Sequence, residues 1–222
     1  MLLAIETTDR GGSVALSRGD RMVELQYEES KRNHSRRLMP LVDSILDKHS
    51  ISYGEIDRLA VATGPGSFTG IRLGVTTAKS LALACEAELV AVSNLRLQVE
   101  FARGRDGVVE SIIDARRGEL YRQRFRTAGE EVAAENDPHL VTPANLKEEL
   151  EGQEDILLIC RDRSWQPQPD SWPEGVSFYP SSLFRPLAAA LVSYAREVEE
   201  TVPPEQAKPL YVRRSDAQRA GG

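Results

Sequence analysis

The sequence predicts an α/β fold of two lobes, and three observations predict it. An apolar run that ends in a carboxylate occurs twice, at residues 2–6 and 108–114, each time followed by a glycine turn and an antiparallel return strand. In each half the hydrophobic spacing then changes from a period of 2 to a period of 3.6. Within the first half, Gly64-Pro65-Gly66-Ser67-Phe68-Thr69-Gly70-Ile71-Arg72-Leu73-Gly74 follows an apolar run and opens a long helical pattern, which reads as strand, tight turn and helix N-terminus. These features describe duplicated βββα-type halves, mixed sheets flanked by helices. The composition shift at residues 102–107 divides an N-terminal lobe, 1–103, from a C-terminal lobe, 104–222, whose tail is expected to pack back on the first.

In chain order, Leu2-Leu3-Ala4-Ile5 runs into Glu6, and Ser13-Val14-Ala15-Leu16 returns through Gly11-Gly12. After a turn at Arg18-Gly19-Asp20, Met22, Glu24 and Gln26 alternate with Val23, Leu25 and Tyr27, the pattern of a half-buried third strand. From Asn33 the period lengthens: Leu38, Leu41, Val42, Ile45 and Leu46 line one face of a helix that ends near His49, capped by Asn33 or Ser35. Pro40 implies either a helix that begins near Met39 or a kink. Residues 56–62 form the next strand. Beyond the glycine loop, with Ser67 as N-cap, a helix runs to about Cys85, and residues 89–93 are a strand. Phe68, Ile71, Val75, Ala78 and Ala82 give that helix its core stripe. Gly70, Gly74 and Thr77 form a second stripe of small residues beside it. Glycine costs about 1 kcal/mol in a helix interior, so two of them imply close approach of another backbone, from within the chain or from a partner.

The second half continues with a hairpin turning at Arg116-Arg117-Gly118, a return strand to about residue 126, a weak strand to about Ala134, a helix over 143–150 and a strand over 156–160. Residues 162–175, with Trp165, Trp172, Pro167, Pro169 and Pro173, read as irregular. A helix with Leu187, Leu191, Tyr194, Ala195 and Val198 follows, then a short anchored tail from Pro209.

At 222 residues and 41% hydrophobic the chain buries a real core, and a net charge of −6 argues against a surface wholly devoted to nucleic acid. Cys85 and Cys160 lack metal-ligand spacing and read as buried thiols of a reducing compartment. With no secretory n-region and no run of about twenty apolar residues, a cytoplasmic protein is expected, without membrane contact. The glycine loop suits an anion nest, with Gly64, Gly66 and Ser67 at its rim, or else a turn that lets the helix pack tightly on its strand. A P-loop needs a Lys-Ser or Lys-Thr pair that is missing, and the glycine spacing does not fit the dinucleotide fingerprint. Glu6, Thr7 and Asp114 fit either the relic of a metal-phosphate site or strand-terminal groups that bond turn N–H groups. Arg122, Arg124 and Arg126 share one strand face, with Arg116 and Arg117 nearby, which suits either RNA phosphates or a solvated surface.

Six stretches resemble a known family: Leu3-Ala4-Ile5-Glu6-Thr7, residues 34–38 with Pro40, residues 64–74, Ala78-Lys79-Ser80-Leu81, residues 113–121, and Pro209-Leu210-Tyr211. It is the TsaB (YeaZ) family of tRNA threonylcarbamoyladenosine biosynthesis proteins, within the actin-like, sugar kinase and Hsp70 ATPase superfamily. The resemblance implies two ribonuclease-H-like lobes and a non-catalytic subunit without cofactor. Its implied partners are a TsaD-type catalytic homologue, a TsaE-type ATPase in a larger complex, and tRNA through that complex. The catalytic relative carries a His-x-x-x-His metal site where this chain has Asn94 and Gln98, and Glu6 stands where the family more often has Asp. The resemblance places the partner contact on the helices after His34 and Ser67, with Leu38, Met39, Leu46, Gly70, Gly74 and Thr77, a surface that also suits a homodimer. A small-molecule kinase or ATPase of the same fold is the alternative; a metallopeptidase is disfavoured by the missing histidines.

Overall fold

The computed structural model describes residues 1–8, 11–29, 34–161, 165 and 167–213, with only the backbone at 34–36. The described residues form two compact units: 1–97 with 185–210, and 98–184 with 211–213.

In the first unit, β1 (Leu2–Glu6) is the central strand. It pairs antiparallel with β2 (Gly11–Arg18) and parallel with β4 (Arg58–Ala62). With β3 (Arg21–Glu29) and β5 (Glu88–Val92) the sheet order is β3-β2-β1-β4-β5. Every residue of β1 is buried, because both faces of the sheet are covered. Leu3, Ile5, Val14, Leu16, Leu59 and Val61 share one core with α1 (His34–Lys48) and α2 (Phe68–Cys85). The alternate residues face α5 (Leu187–Glu197), which packs on β1, β2, β3 and β4.

The second unit carries a long hairpin, β6 (Gly107–Arg116) and β7 (Glu119–Ala128), followed by β8 (Glu131–Ala134) and β9 (His139–Val141). Next come α4 (Pro143–Leu150), β10 (Ile156–Cys160) and β11 (Val176–Phe178). Its sheet order is β11-β10-β6-β7-β8, with β9 also on β7. Thr142 caps α4 by accepting from the Asn145 N–H, and Pro143 occupies the first turn, where its missing donor costs nothing. Leu146, Leu150, Ile112, Ile156, Leu158 and Trp172 form one core of this unit, and Val109, Phe125, Leu157 and Ile159 another.

Several sequence expectations are corrected here. The division at 103/104 assigned the helix over 187–197 to the second lobe. It belongs to the first unit, because its apolar face covers the otherwise open side of the β1 sheet. Helix α1 runs unbroken through Pro40, which is exposed; Ser35 lies inside the helix and Asn33 outside the described residues. Phe68 is 50% exposed and not part of the core stripe. Both cysteines are half-buried, and burial raises the Cys85 pKa. Strands β9 and β11, three residues each, and the short helix α3 (Asn94–Val99) carry too little periodicity to be read from sequence.

Candidate functional site

The glycine loop is closed by the chain's own residues. Strand β1 ends at Glu6, and Thr7 and Thr8 continue across the first turn of α2. The Ser67 N–H donates to the Thr8 carbonyl at 2.8 Å, and the Ser67 hydroxyl caps the helix by accepting from the Gly70 N–H. Thr7 Oγ1 donates to the Gly70 carbonyl at 2.6 Å. A Cβ on Gly66 would lie 2.7 Å from the Thr8 carbonyl oxygen, one on Gly70 1.8 Å from the Thr7 carbonyl oxygen, and one on Gly74 2.5 Å from Thr7 Oγ1. All three glycines are therefore required by the passage of Thr7-Thr8. That placement corrects the reading of Gly70 and Gly74 as partner-facing residues: the approaching backbone is intramolecular. It also changes the candidate anion nest, because the Thr8 carbonyl already takes the Ser67 N–H.

The two strand-terminal carboxylates behave alike. Glu6, 1% exposed, accepts from the Thr8 N–H and from Thr8 Oγ1 (2.6 Å) through Oε1, and from Ser13 Oγ (3.1 Å) through Oε2. Ser13 Oγ in turn accepts from the Ala188 N–H in the first turn of α5, so the acid at the strand tip helps to dock that helix. Asp114 accepts from the Arg116 N–H at 2.7 Å and pairs with the Arg116 guanidinium at 3.0 Å. It thereby braces a turn in which Arg116, Arg117 and Gly118 all have positive φ. Both acids bond turn N–H groups, as one of the two readings expects.

Asn94 and Gln98 are buried and bonded. Asn94 Nδ2 donates to Thr8 Oγ1 and to the Pro65 carbonyl, and its N–H donates to the Gly64 carbonyl at 2.7 Å. Gln98 Nε2 donates to Ser111 Oγ and the Ile112 carbonyl, and its Oε1 accepts from the Arg161 N–H at 2.9 Å. Among the described residues, no group of three or more His, Cys, Asp or Glu side chains could hold a metal ion. No helix among them is long and apolar enough to cross a membrane.

The arginine face of β7 is a set of ion pairs. Arg122, 3% exposed, donates through Nε and Nη2 to Glu110 at 2.9 Å and through Nη1 to Glu149. Arg124 joins Glu110 and Glu135, and Arg126 joins Glu135. The candidate RNA contact is corrected at Arg122, which is buried; period 2 places 122, 124 and 126 on one face, and that face meets three glutamates from β6, α4 and the segment after β8, while Arg126 stays exposed. Arg116 is held by Asp114, and Arg117 is exposed.

Of the candidate interface residues, Leu38 and Leu46 are also corrected: both lie in the core, because α1 turns them onto the sheet. Met39 and Thr77 are half-buried, and the His34 side chain lies outside the described residues. Sequence reasoning missed the outward strip of α2. Phe68, Arg72, Thr76 and Leu83 are exposed within about 80° of one another on a wheel of about 100° per residue, Leu83 at 62%. The Arg72 guanidinium lies 3.9 Å over the Phe68 ring. The available signal was Leu83, an apolar residue outside the stripe set by Ile71 and Val75.

Comparison with known proteins agrees with this architecture. A family model described as tRNA N6-adenosine threonylcarbamoyltransferase (TsaD) matches residues 26–207. The tRNA threonylcarbamoyladenosine biosynthesis protein TsaB of Escherichia coli K12 is 32% identical over 97% of this chain and 96% of its own length. The chain belongs to the TsaB (YeaZ) family, within the group that model describes. The TsaB protein of Bacillus subtilis is 40% identical over 54% of this chain and 52% of its own. The solved structure of YeaZ from Pseudomonas aeruginosa matches with a TM-score of 0.73 at 26% identity, covering 95% of this chain and 98% of that one. The TsaB relationship thus extends across both units and establishes the two-lobed, actin-like fold.

Proposed function

We propose that this chain is a non-catalytic subunit for threonylcarbamoyl modification of adenosine 37 in tRNAs reading codons beginning with A. It binds and activates a TsaD-type catalytic homologue, with a TsaE-type ATPase in the larger complex and tRNA engaged through that complex. One observation carries the non-catalytic reading: Thr8 bonds into the glycine loop through the Ser67 N–H, and Glu6 and Asn94 are both committed to Thr8. A loop whose Ser67 N–H is already held by the chain's own carbonyl is a poorer cradle for a phosphate, and amides are poor substitutes for imidazole as iron or zinc ligands. A TsaB relative over nearly the whole chain supports the pathway.

The partner contact falls on the outer strip of α2, Phe68, Arg72, Thr76 and Leu83. Two exposed apolar side chains flanked by polar ones suit a protein partner, and two-fold packing of like strips makes a homodimer the competing assembly.

The test is reconstitution with the catalytic homologue from the same source, reading modified nucleoside by mass spectrometry. With tRNA, an activated threonylcarbamoyl donor and the TsaE-type ATPase present throughout, neither protein alone forms the product and the pair does. Phe68→Asp with Leu83→Asp abolishes co-purification and modification while circular dichroism stays native. Modification by this chain alone would overturn the reading, and a micromolar, magnesium-dependent ATP affinity lost in Asp114→Ala would replace it with the kinase alternative.

A further inference from the structure

Beyond α5 the chain runs along the open side of β5, the end strand of the first sheet. The Arg58 guanidinium donates to the Val198 carbonyl, and the Val202 N–H donates to the Leu89 carbonyl at 2.8 Å. Pro203, Pro204 and Pro209 bring no donors, so this segment covers the strand edge with few ladder bonds. A single tight turn, Pro204–Gln206, is held from α2: Lys79 Nζ donates to the Glu205 and Ala207 carbonyls, each at 3.2 Å. Ala207 is 3% exposed and anchors the segment in the core. The segment ends on the glycine loop, where the Leu210 N–H donates to the Thr63 carbonyl at 2.9 Å. Gly64, at φ 102°, passes so close that a Cβ there would lie 3.3 Å from the Leu210 carbonyl oxygen. From the other side, the Asn94 N–H holds the Gly64 carbonyl.

We propose that residues 198–210 are a latched strap that keeps the glycine loop closed, with Lys79 as the latch and the strap and loop opening as one element. The physical basis is that three prolines leave the strap with little bonding of its own. Besides the Arg58 and Leu89 contacts at its start and the burial of Ala207, its docking rests on the Lys79 ammonium and, where it meets the loop, on the Leu210 contact with Thr63-Gly64. Whatever loosens the latch frees the loop, and whatever distorts the loop frees the strap, as linkage requires of two sites that bias one equilibrium.

Hydrogen exchange read by mass spectrometry on the full chain tests this. In Lys79→Met, which keeps the stem and removes the donors, peptides covering 200–212 and 63–71 should exchange together, about tenfold faster than in the parent. That factor corresponds to one charge-assisted hydrogen bond. Peptides over β10 should be unchanged, and Lys79→Arg should restore protection at both places. From the other end, Gly64→Ala should deprotect 200–212. Faster exchange confined to the strap, faster exchange throughout the chain, or no change at 200–212 in Gly64→Ala would each overturn the proposal.

Discussion

Gly70→Ala probes the contact on which the candidate site turns. The added methyl would fall 1.8 Å from the Thr7 carbonyl oxygen and 2.9 Å from its carbonyl carbon, both backbone atoms just beyond the central strand. Neither can rotate away as a flexible side chain would, so α2 and β1 must separate locally. Overpacking of this kind costs about 1–3 kcal/mol. The separation also weakens the bond from Thr7 Oγ1 to the Gly70 carbonyl, worth about 1 kcal/mol. Alanine's helix propensity returns at most about 1 kcal/mol. The net expectation is a loss of about 2 kcal/mol, or a fall in Tm of about 4–8 °C for a chain of this size. Urea unfolding followed by circular dichroism measures it, with Gly54→Ala as control. Gly54 is exposed with nothing within 4 Å of a Cβ there, so that variant should stay within about 0.5 kcal/mol. A Gly70→Ala chain as stable as the parent would refute the reasoning.

Two further outcomes follow from charged groups. Glu110, fully buried, neutralises Arg122 and lies 3.3 Å from Arg124, so Glu110→Ala should cost about 3 kcal/mol by leaving a buried guanidinium with only the half-exposed Glu149; adding Arg122→Met should recover much of the loss in the same urea assay. Lys48, then His49, hold the Glu24 carboxylate down to a pKa of about 2 from an ordinary 4.5. A depressed carboxylate stabilises the fold above its unfolded pKa and loses that contribution as pH falls through its folded one. Stability should therefore decline between about pH 4.5 and 2, and less steeply in Glu24→Gln, as read from Tm against pH.

Local pattern determined much of this protein. Short apolar runs bounded by a carboxylate and glycines marked β1 and β2, alternation of apolar and polar residues marked β3, the helical spacing of Ile71, Val75 and Ala78 marked α2, and the run from Gly64 to Ser67 marked its capped entry. The repeated strand, carboxylate and glycine turn at Glu6 and Asp114 disclosed the duplication. All of these are relations between residues close in sequence, which periodicity and turn chemistry record directly. Tertiary structure alone decided what the marked residues do. Nothing local distinguishes a glycine that admits a partner's backbone from one that admits Thr7, some sixty residues upstream, because the difference is made by a distant strand end. Likewise Arg122, Arg124 and Arg126 read as an exposed basic stripe until Glu110, Glu135 and Glu149 arrive from other elements. The helix over 187–197 joined the first unit for the same reason: its amphipathic face states that it must cover a sheet, and only the packing of the whole chain determines which.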